Sequence, residues 1–236
     1  MVRVEYGTGP ERLSFVRAVA AVIPARDAEA TVGAVVRGVR KALPEALVLV
    51  VDDGSTDATS DAARSAGADV TRHQVNRGKG AALQTGFDEA VRRGVERVLT
   101  LDADGQHDPS YAPRLLQALD DSDVVIGSRD SNRAGMPWLR RATNSVMTSI
   151  VSGLAGKKIQ DTQSGYRAVR SEVLAAVRPE SLRFEYESEF LIEAGRKGFR
   201  IGSVPIPTLY NAPGSHIDPL RDTVRFIRLL IRRWTS

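Results

Sequence analysis

The feature that most constrains this chain is its repeated alternation of short apolar runs with segments of helical spacing. AVAAVIP (18–24) is an apolar run stopped by proline, and EATVGAVVRGVRKAL (29–43) follows with apolar residues three and four apart. ALVLVVDD (46–53) is a second apolar run. After it comes a helix to Ala66, with Thr56 or Asp57 able to cap its start. DVTRH (69–73), RVLTLDAD (97–104) and DVVIGSR (123–129) read as further strands, with helices over 78–93 and 110–119. Strands alternating with helices imply a mostly parallel sheet covered on both faces, an α/β domain. Farther on, 137–155 reads as a long amphipathic helix, 161–170 as a loop entering a strand, 187–197 as a helix and FRIGSVPI (199–206) as a strand. No interior linker or repeat interrupts the pattern. The expected organisation is an extension over 1–17, one domain over 18–218, and a basic amphipathic helix over 219–236.

Composition narrows the chemistry. The 236 residues are 42% apolar and 26% charged, which excludes a disordered, collagen-like or coiled-coil chain. No cysteine is present, so disulfides, thiolate zinc sites and a cysteine nucleophile are excluded. His73, His107 and His216 are too scattered for an all-histidine metal site without carboxylates. The net charge of +4 is local, because Arg221 to Ser236 holds five arginines against one aspartate. A neutral body with one basic helix is not the broad basic surface of a nucleic-acid binder. No run is long and apolar enough for a membrane span, and the N-terminus lacks a signal-peptide core, so a cytoplasmic location is expected.

In sheets of this kind the ligand lies beyond the carboxyl ends of the strands. Three of those ends carry charge: Asp52-Asp53, Asp102-Ala103-Asp104 and Ser128-Arg129. LDADGQHDP (101–109) sets two aspartates at i and i+2 after a strand. Hard oxygen ligands at that spacing suit Mg²⁺ or Mn²⁺, and Gln106 can add a carbonyl oxygen. The same residues equally describe a solvated acidic turn with Asp108 capping the next helix. Asp53, ahead of a Gly-Ser turn, is placed to accept from ribose hydroxyls or a base edge; Thr56 and Asp57 read as helix-start residues. In NRGKGAALQTG (76–86), Lys79 and its flanking backbone N–H groups offer a cation and donors to a phosphate or sugar oxygen, or simply a tight turn. Arg141 and Ser145 share a helix face and, with Arg129, could grip a phosphate group; alone, they read as surface residues. In the tail, Arg221, Arg225, Arg228 and Arg232 share one helical face, with Val224, Ile227 and Trp234 on another. That pattern suits a membrane surface or a helix packed on the core.

Taken in order, VIPARDAEATV, VVDDGSTDAT, NRGKGAALQTGF, LDADGQHDP, GSR, DTQSGYRAVR and EYESEFLIEAGRKGFRIGSVPI resemble family 2 glycosyltransferases of the GT-A fold. Within that family the chain is similar to the polyprenol-phosphate glycosyltransferases, over about residues 18–234. The resemblance implies a nucleotide-sugar lying across the strand ends. It puts Pro24, Arg26, Val51 and Asp53 on the nucleotide, and Asp102, Ala103, Asp104 and Gln106 on a divalent metal and the diphosphate. Arg129, Arg141 and Ser145 would hold the phosphate of a polyprenyl acceptor. His216 stands beside Ser215 where mannose synthases have Ser-Lys near the diphosphate. After the proline motif, Ala25-Arg26-Asp27-Ala28-Glu29 replaces the usual aromatic and Asn-Glu. Membrane helices found after the domain in many relatives are missing, which leaves 137–155 and the tail to hold the protein peripherally at a bilayer.

The expected reaction is one inverting displacement in which a lipid phosphate oxygen attacks the anomeric carbon. Asp102, Asp104 and Arg129 are the residues expected to carry it. A hydroxyl acceptor would instead need a base, with Asp161, Glu187 and Glu189 as candidates. The alternatives are transfer to a soluble or saccharide acceptor and a non-catalytic nucleotide-sugar-binding protein.

Overall fold

The computed structural model describes residues 19–129 and 138–207, with the side chains of 138–143 excepted. Seven strands form one sheet in the order β3-β2-β1-β4-β6-β5-β7. They are β1 (Val19–Ala25), β2 (Leu47–Asp52), β3 (Asp69–Arg72), β4 (Arg97–Thr100), β5 (Val124–Arg129), β6 (Arg167–Arg170) and β7 (Ile201–Ile206). All pairings are parallel except those of β6, which runs antiparallel to both β4 and β5. The mostly parallel sheet expected from the sequence is therefore present. Because β6 is reversed, its start lies at the same edge as the ends of its neighbours, so the 161–166 loop enters there.

The helices are α1 (Glu29–Ala42), α2 (Thr59–Ser65), α3 (Lys79–Arg92), α4 (Ala112–Gln117), α5 (Trp138–Ala155), α6 (Ser171–Ala176) and α7 (Glu185–Arg196). Residues of β1 alternate between two cores, as strand geometry requires. Ala20 and Val22 face a core with Leu83, Phe87, Val151, Phe190 and Leu191, under α3, α5 and α7. Ala21 and Ile23 face Val32, Val36, Leu115 and Leu119 on the other side.

Several boundaries differ from the sequence reading. β4 stops at Thr100, not at Asp104, because β6 begins opposite Thr100 and offers no ladder beyond it. Asp102 and Asp104 therefore sit on a loop, which turns at Gly105 with φ of 74°. The helix expected over 110–119 is broken into a 3₁₀ turn, α4 and a second 3₁₀ turn. Pro109 and Pro113 lack N–H groups and fit only the first turn of a helix, so α4 starts late. α6 was not foreseen. The extension over 1–17 and the helix over 219–236 lie outside the described residues.

Close packing of α3 on the sheet depends on Gly86. A Cβ there would lie 2.3 Å from Cγ1 of Val22 and 3.3 Å from Cγ2 of Val51. Gly86→Ala is expected to destabilise the protein by about 1–3 kcal/mol through overpacking. Gly153→Ala, in a helix and with nothing within 4 Å of the new Cβ, should be neutral or stabilising by about 0.5–1 kcal/mol. Urea denaturation of the two variants beside wild type checks both.

Candidate active site

The tips of β1 and β2 are sewn together by short polar side chains. Ser55 Oγ accepts from Asp27 N at 3.0 Å, Thr59 Oγ1 from Ala28 N at 2.7 Å, and Asp27 Oδ1 from Thr56 N at 2.8 Å. Asp27 takes φ of 47°, a left-handed conformation that aspartate tolerates. Asp57 bridges two helix starts, accepting from Glu29 N at 3.1 Å and from Thr59 N at 3.0 Å. Of the two cap candidates it is Asp57 that acts at the start of α2, while Thr56 bonds to Asp27. Asp52 is wholly buried and accepts from Ser55 N at 2.8 Å and from the Ser60 hydroxyl. Burial opposes its charge, but these hydrogen bonds and Arg72 outweigh it and hold its carboxyl below the usual aspartate value. Around this frame Pro24 is half-buried, Val51 buried and Arg26 exposed.

Asp53 is only 4% exposed, and both its oxygens are engaged. Oδ1 accepts from His73 Nδ1 at 2.7 Å and Arg77 N at 2.9 Å, and Oδ2 from Gly78 N at 2.7 Å. The carboxylate thus pins the loop that delivers Lys79 to the first position of α3. Asp53, expected on the nucleotide, here holds this loop.

Lys79 sits between two carboxylates. Its Nζ lies 2.7 Å from Asp102 Oδ1 and 2.8 Å from Glu187 Oε2 of α7. Burial works against the ammonium, but Asp102 and Glu187 outweigh it and raise its pKa above the ordinary lysine value. Lys79, which the sequence reading offers to a phosphate or sugar oxygen, is here paired with two protein carboxylates. Glu187 also lies 3.8 Å from Arg167, whose buried guanidinium donates to the carbonyls of Ser164, Glu187 and Thr162 at 2.9, 2.9 and 3.0 Å. Sequence reasoning missed Arg167 as a site residue; the buried arginine of DTQSGYRAVR looked like an ordinary strand residue.

Asp102 keeps its charge because Lys79 outweighs the cost of burial, and its carboxyl is held below the aspartate range. Asp104 is pushed the other way, by burial and by the charge of Asp102. Its Oδ1 accepts from Gln106 N at 2.9 Å, while Ala103 between the two acids is buried in the core. Asp108 accepts from Ser110 N at 2.9 Å and so caps the next turn, as the plainer reading of this motif anticipated. His107, buried, stacks on Tyr166 with ring centres 5.2 Å apart, and its Nδ1 has no hydrogen-bond partner among the described residues.

Two like-charged carboxylates on one turn, one of them pushed toward protonation, form a donor set that a divalent cation would relieve. Among the described residues no group of three His, Cys, Asp or Glu side chains closes into a full cage. That suits Mg²⁺ or Mn²⁺, which is commonly held by one or two carboxylates with substrate phosphates and water completing the shell. The residues present therefore fit the expected ion.

Arg129, at the tip of β5, is held by Asp161. Nε donates to Oδ2 at 2.7 Å, Nη2 to Oδ1 at 2.9 Å, and the backbone N–H of Arg129 to Oδ2 at 3.2 Å. Next to Asp161, Thr162 Oγ1 lies 3.1 Å from Thr148 Oγ1 of α5, one turn on from Ser145. The loop thus joins β5 to the helix that carries Ser145 and Arg141. The Arg141 side chain, His216 and the basic tail lie outside the described residues.

Comparison with known proteins agrees with this arrangement. Residues 20–182 match the model of glycosyl transferase family 2. The chain belongs to that family. An undecaprenyl-phosphate mannosyltransferase of Micrococcus luteus is 35% identical over 178 residues, 71% of this chain and 73% of its own length. The polyprenol monophosphomannose synthase of Mycolicibacterium smegmatis is 35% identical over 198 residues, covering 78% and 75%. An uncharacterized protein of Methanocaldococcus jannaschii is 37% identical over 196 residues, 80% of each chain. Among solved structures, glucosyl-3-phosphoglycerate synthase of Mycobacterium tuberculosis superposes with a TM-score of 0.73 at 22% identity, over 92% of this chain and 80% of that one. That likeness concerns the fold; the synthase has been crystallised with Mn²⁺ and UDP-glucose. The family 2 member is a glycosyltransferase with a GT-A-like α/β domain, and its resemblance to the polyprenol-phosphate branch is borne out.

Gly165 of this glycosyltransferase leaves room for Asp102, since a Cβ there would lie 2.6 Å from Oδ2 and 2.9 Å from Oδ1. Gly165→Ala is expected to displace the carboxylate and lower transfer by about 10²-fold, the scale set by misplacing a reacting group by about 1 Å. Thermal denaturation should stay near wild type; a normal rate in the variant would show that the position of Asp102 is not critical.

Proposed function

We propose that the enzyme moves a sugar, with inversion, from a nucleoside diphosphate donor to the phosphate of a polyprenyl phosphate. The observation that carries this reading is the state of the three candidate bases. Asp161 is bound by Arg129, Glu187 by Lys79 and Arg167, and Glu189 is wholly buried and accepts from Ser181 N at 2.9 Å. An alcohol acceptor has a proton to lose and needs a base within reach. A phosphate monoester is already anionic at neutral pH, so its nucleophile needs none. The polyprenyl-phosphate sugar transferases among the relatives support the same acceptor class.

One acceptor phosphate oxygen bonds to the anomeric carbon as the bond from that carbon to the donor diphosphate breaks on the opposite face. The bonding electrons leave with the nucleoside diphosphate, and no proton has to be removed. Pro24, Arg26 and Val51 form the nucleotide side of the site, with Asp53 holding the loop behind it. Lys79 keeps Asp102 ionised and fixed. By the family resemblance, Arg129, Arg141 and Ser145 are assigned to the acceptor phosphate and His216 to the diphosphate. Asp102, Asp104 and Gln106 would hold a Mg²⁺ or Mn²⁺ ion, which when bound supplies positive charge against the leaving diphosphate. Among the described residues no helix is long and apolar enough to cross a membrane. α5 and the basic tail are therefore proposed to meet the cytoplasmic face of the bilayer as a peripheral contact.

A transfer assay tests this reading. Purified protein receives labelled UDP- and GDP-sugars with Mn²⁺ or Mg²⁺, each with and without polyprenyl phosphate, and label is followed into organic solvent. Lipid-dependent extraction with one donor is expected, lost on chelation of the metal. Asp102→Asn should lower it by about 10²–10³-fold, the scale for removing a group that stabilises transition-state charge. Donor binding or hydrolysis without transfer to the lipid phosphate would overturn the acceptor assignment, pointing to a soluble acceptor or a non-catalytic protein.

A further inference from the structure

We propose that Asp161 is a positioning residue that aims the Arg129 guanidinium at the acceptor phosphate, a role that rests on the acceptor reading above. Arginine at a strand tip has many rotamers, and a phosphate that had to select one would bind more weakly. Asp161 removes that freedom with two side-chain bonds, Nε to Oδ2 at 2.7 Å and Nη2 to Oδ1 at 2.9 Å. Two parallel N–H···O bonds fix the plane of the guanidinium, and with it the directions of all five donors.

Asp161 is itself well anchored. Its side chain is 8% exposed, Oδ1 accepts from Gln163 N at 3.1 Å, and the residues after it are held by Arg167 through the Thr162 and Ser164 carbonyls. Thr162 also meets Thr148 of α5, so one loop sets Arg129 and the helix carrying Ser145 and Arg141 against a common reference. The bidentate pair also makes Asp161 an unsuitable base, because both oxygens already accept hydrogen bonds and Arg129 favours the ionised form.

The test is steady-state kinetics of Asp161→Asn and Asp161→Glu with a prenyl phosphate acceptor, varying donor and acceptor separately. The acceptor KM should rise about tenfold or more in both variants while the donor KM stays within about twofold, the range expected for coupled contacting residues. A normal donor KM also certifies that the site is folded. In an Arg129→Ala background, Asp161→Asn should cost nothing further, since it acts through Arg129. Three results would overturn the role: a fall in acceptor KM, which would make the pair an inhibitory lock; equal loss for donor and acceptor, which would make Asp161 a support for the whole loop; or a further loss in the Arg129→Ala background, which would give Asp161 a separate chemical task. If wild type fails to use any prenyl phosphate, the acceptor reading falls and this role falls with it. A working wild type with one of the three results removes the role of Asp161 alone.

Discussion

The site depends on one ammonium group. Lys79 opens α3, Asp102 follows β4 and Glu187 lies in the first turn of α7, so three elements distant in sequence meet at its Nζ. Each partner would be costly alone, because a half-buried carboxylate without a counter-charge is disfavoured by several kcal/mol. Paired, they let Asp102 stay ionised at the strand edge where a donor diphosphate and its metal would lie. The same pairing engages Glu187. An arrangement that secures the donor side therefore also removes one candidate base from the acceptor side.

The second organising constraint is topological. Inserting an antiparallel strand between β4 and β5 brings the 161–166 segment to the carboxyl edge of an otherwise parallel sheet. Several contacts of that segment involve candidate site residues. Gly165 lies against Asp102, Asp161 holds Arg129, and Arg167 gathers the carbonyls of Thr162, Ser164 and Glu187. The residues proposed for donor and acceptor are thus referenced to one loop, which suits a displacement whose catalysis is mainly positioning and electrostatics.

Much of this was legible in the sequence. Buried parallel strands announce themselves as continuous apolar runs, and their charged tips marked the edge proposed as functional, at Asp53, Asp102 and Arg129. What could not be read was pairing. NRGKG marks Lys79 as a cation at a helix start, but no local signal says that carboxylates from the loop after β4 and from α7 will meet it. Asp53 looked available because an acid at a strand end usually is; its partners, His73 and the Arg77 and Gly78 N–H groups, lie some twenty residues on. The direction of β6 was equally hidden, since a four-residue strand with three buried residues carries the same pattern either way. The broken helix at 109–120 was legible in principle from Pro109 and Pro113, whose missing N–H groups outweigh the apolar spacing around them.

The proposed acceptor brings its own anion, because the three candidate bases Asp161, Glu187 and Glu189 are committed to cations or buried. The most direct measurement offers the enzyme a polyprenyl phosphate and the corresponding polyprenol in matched vesicles, with the same donor. Transfer to the phosphate, with none detectable to the alcohol, is the predicted result. Transfer to the alcohol at a comparable rate would require a working base, and would contradict the account.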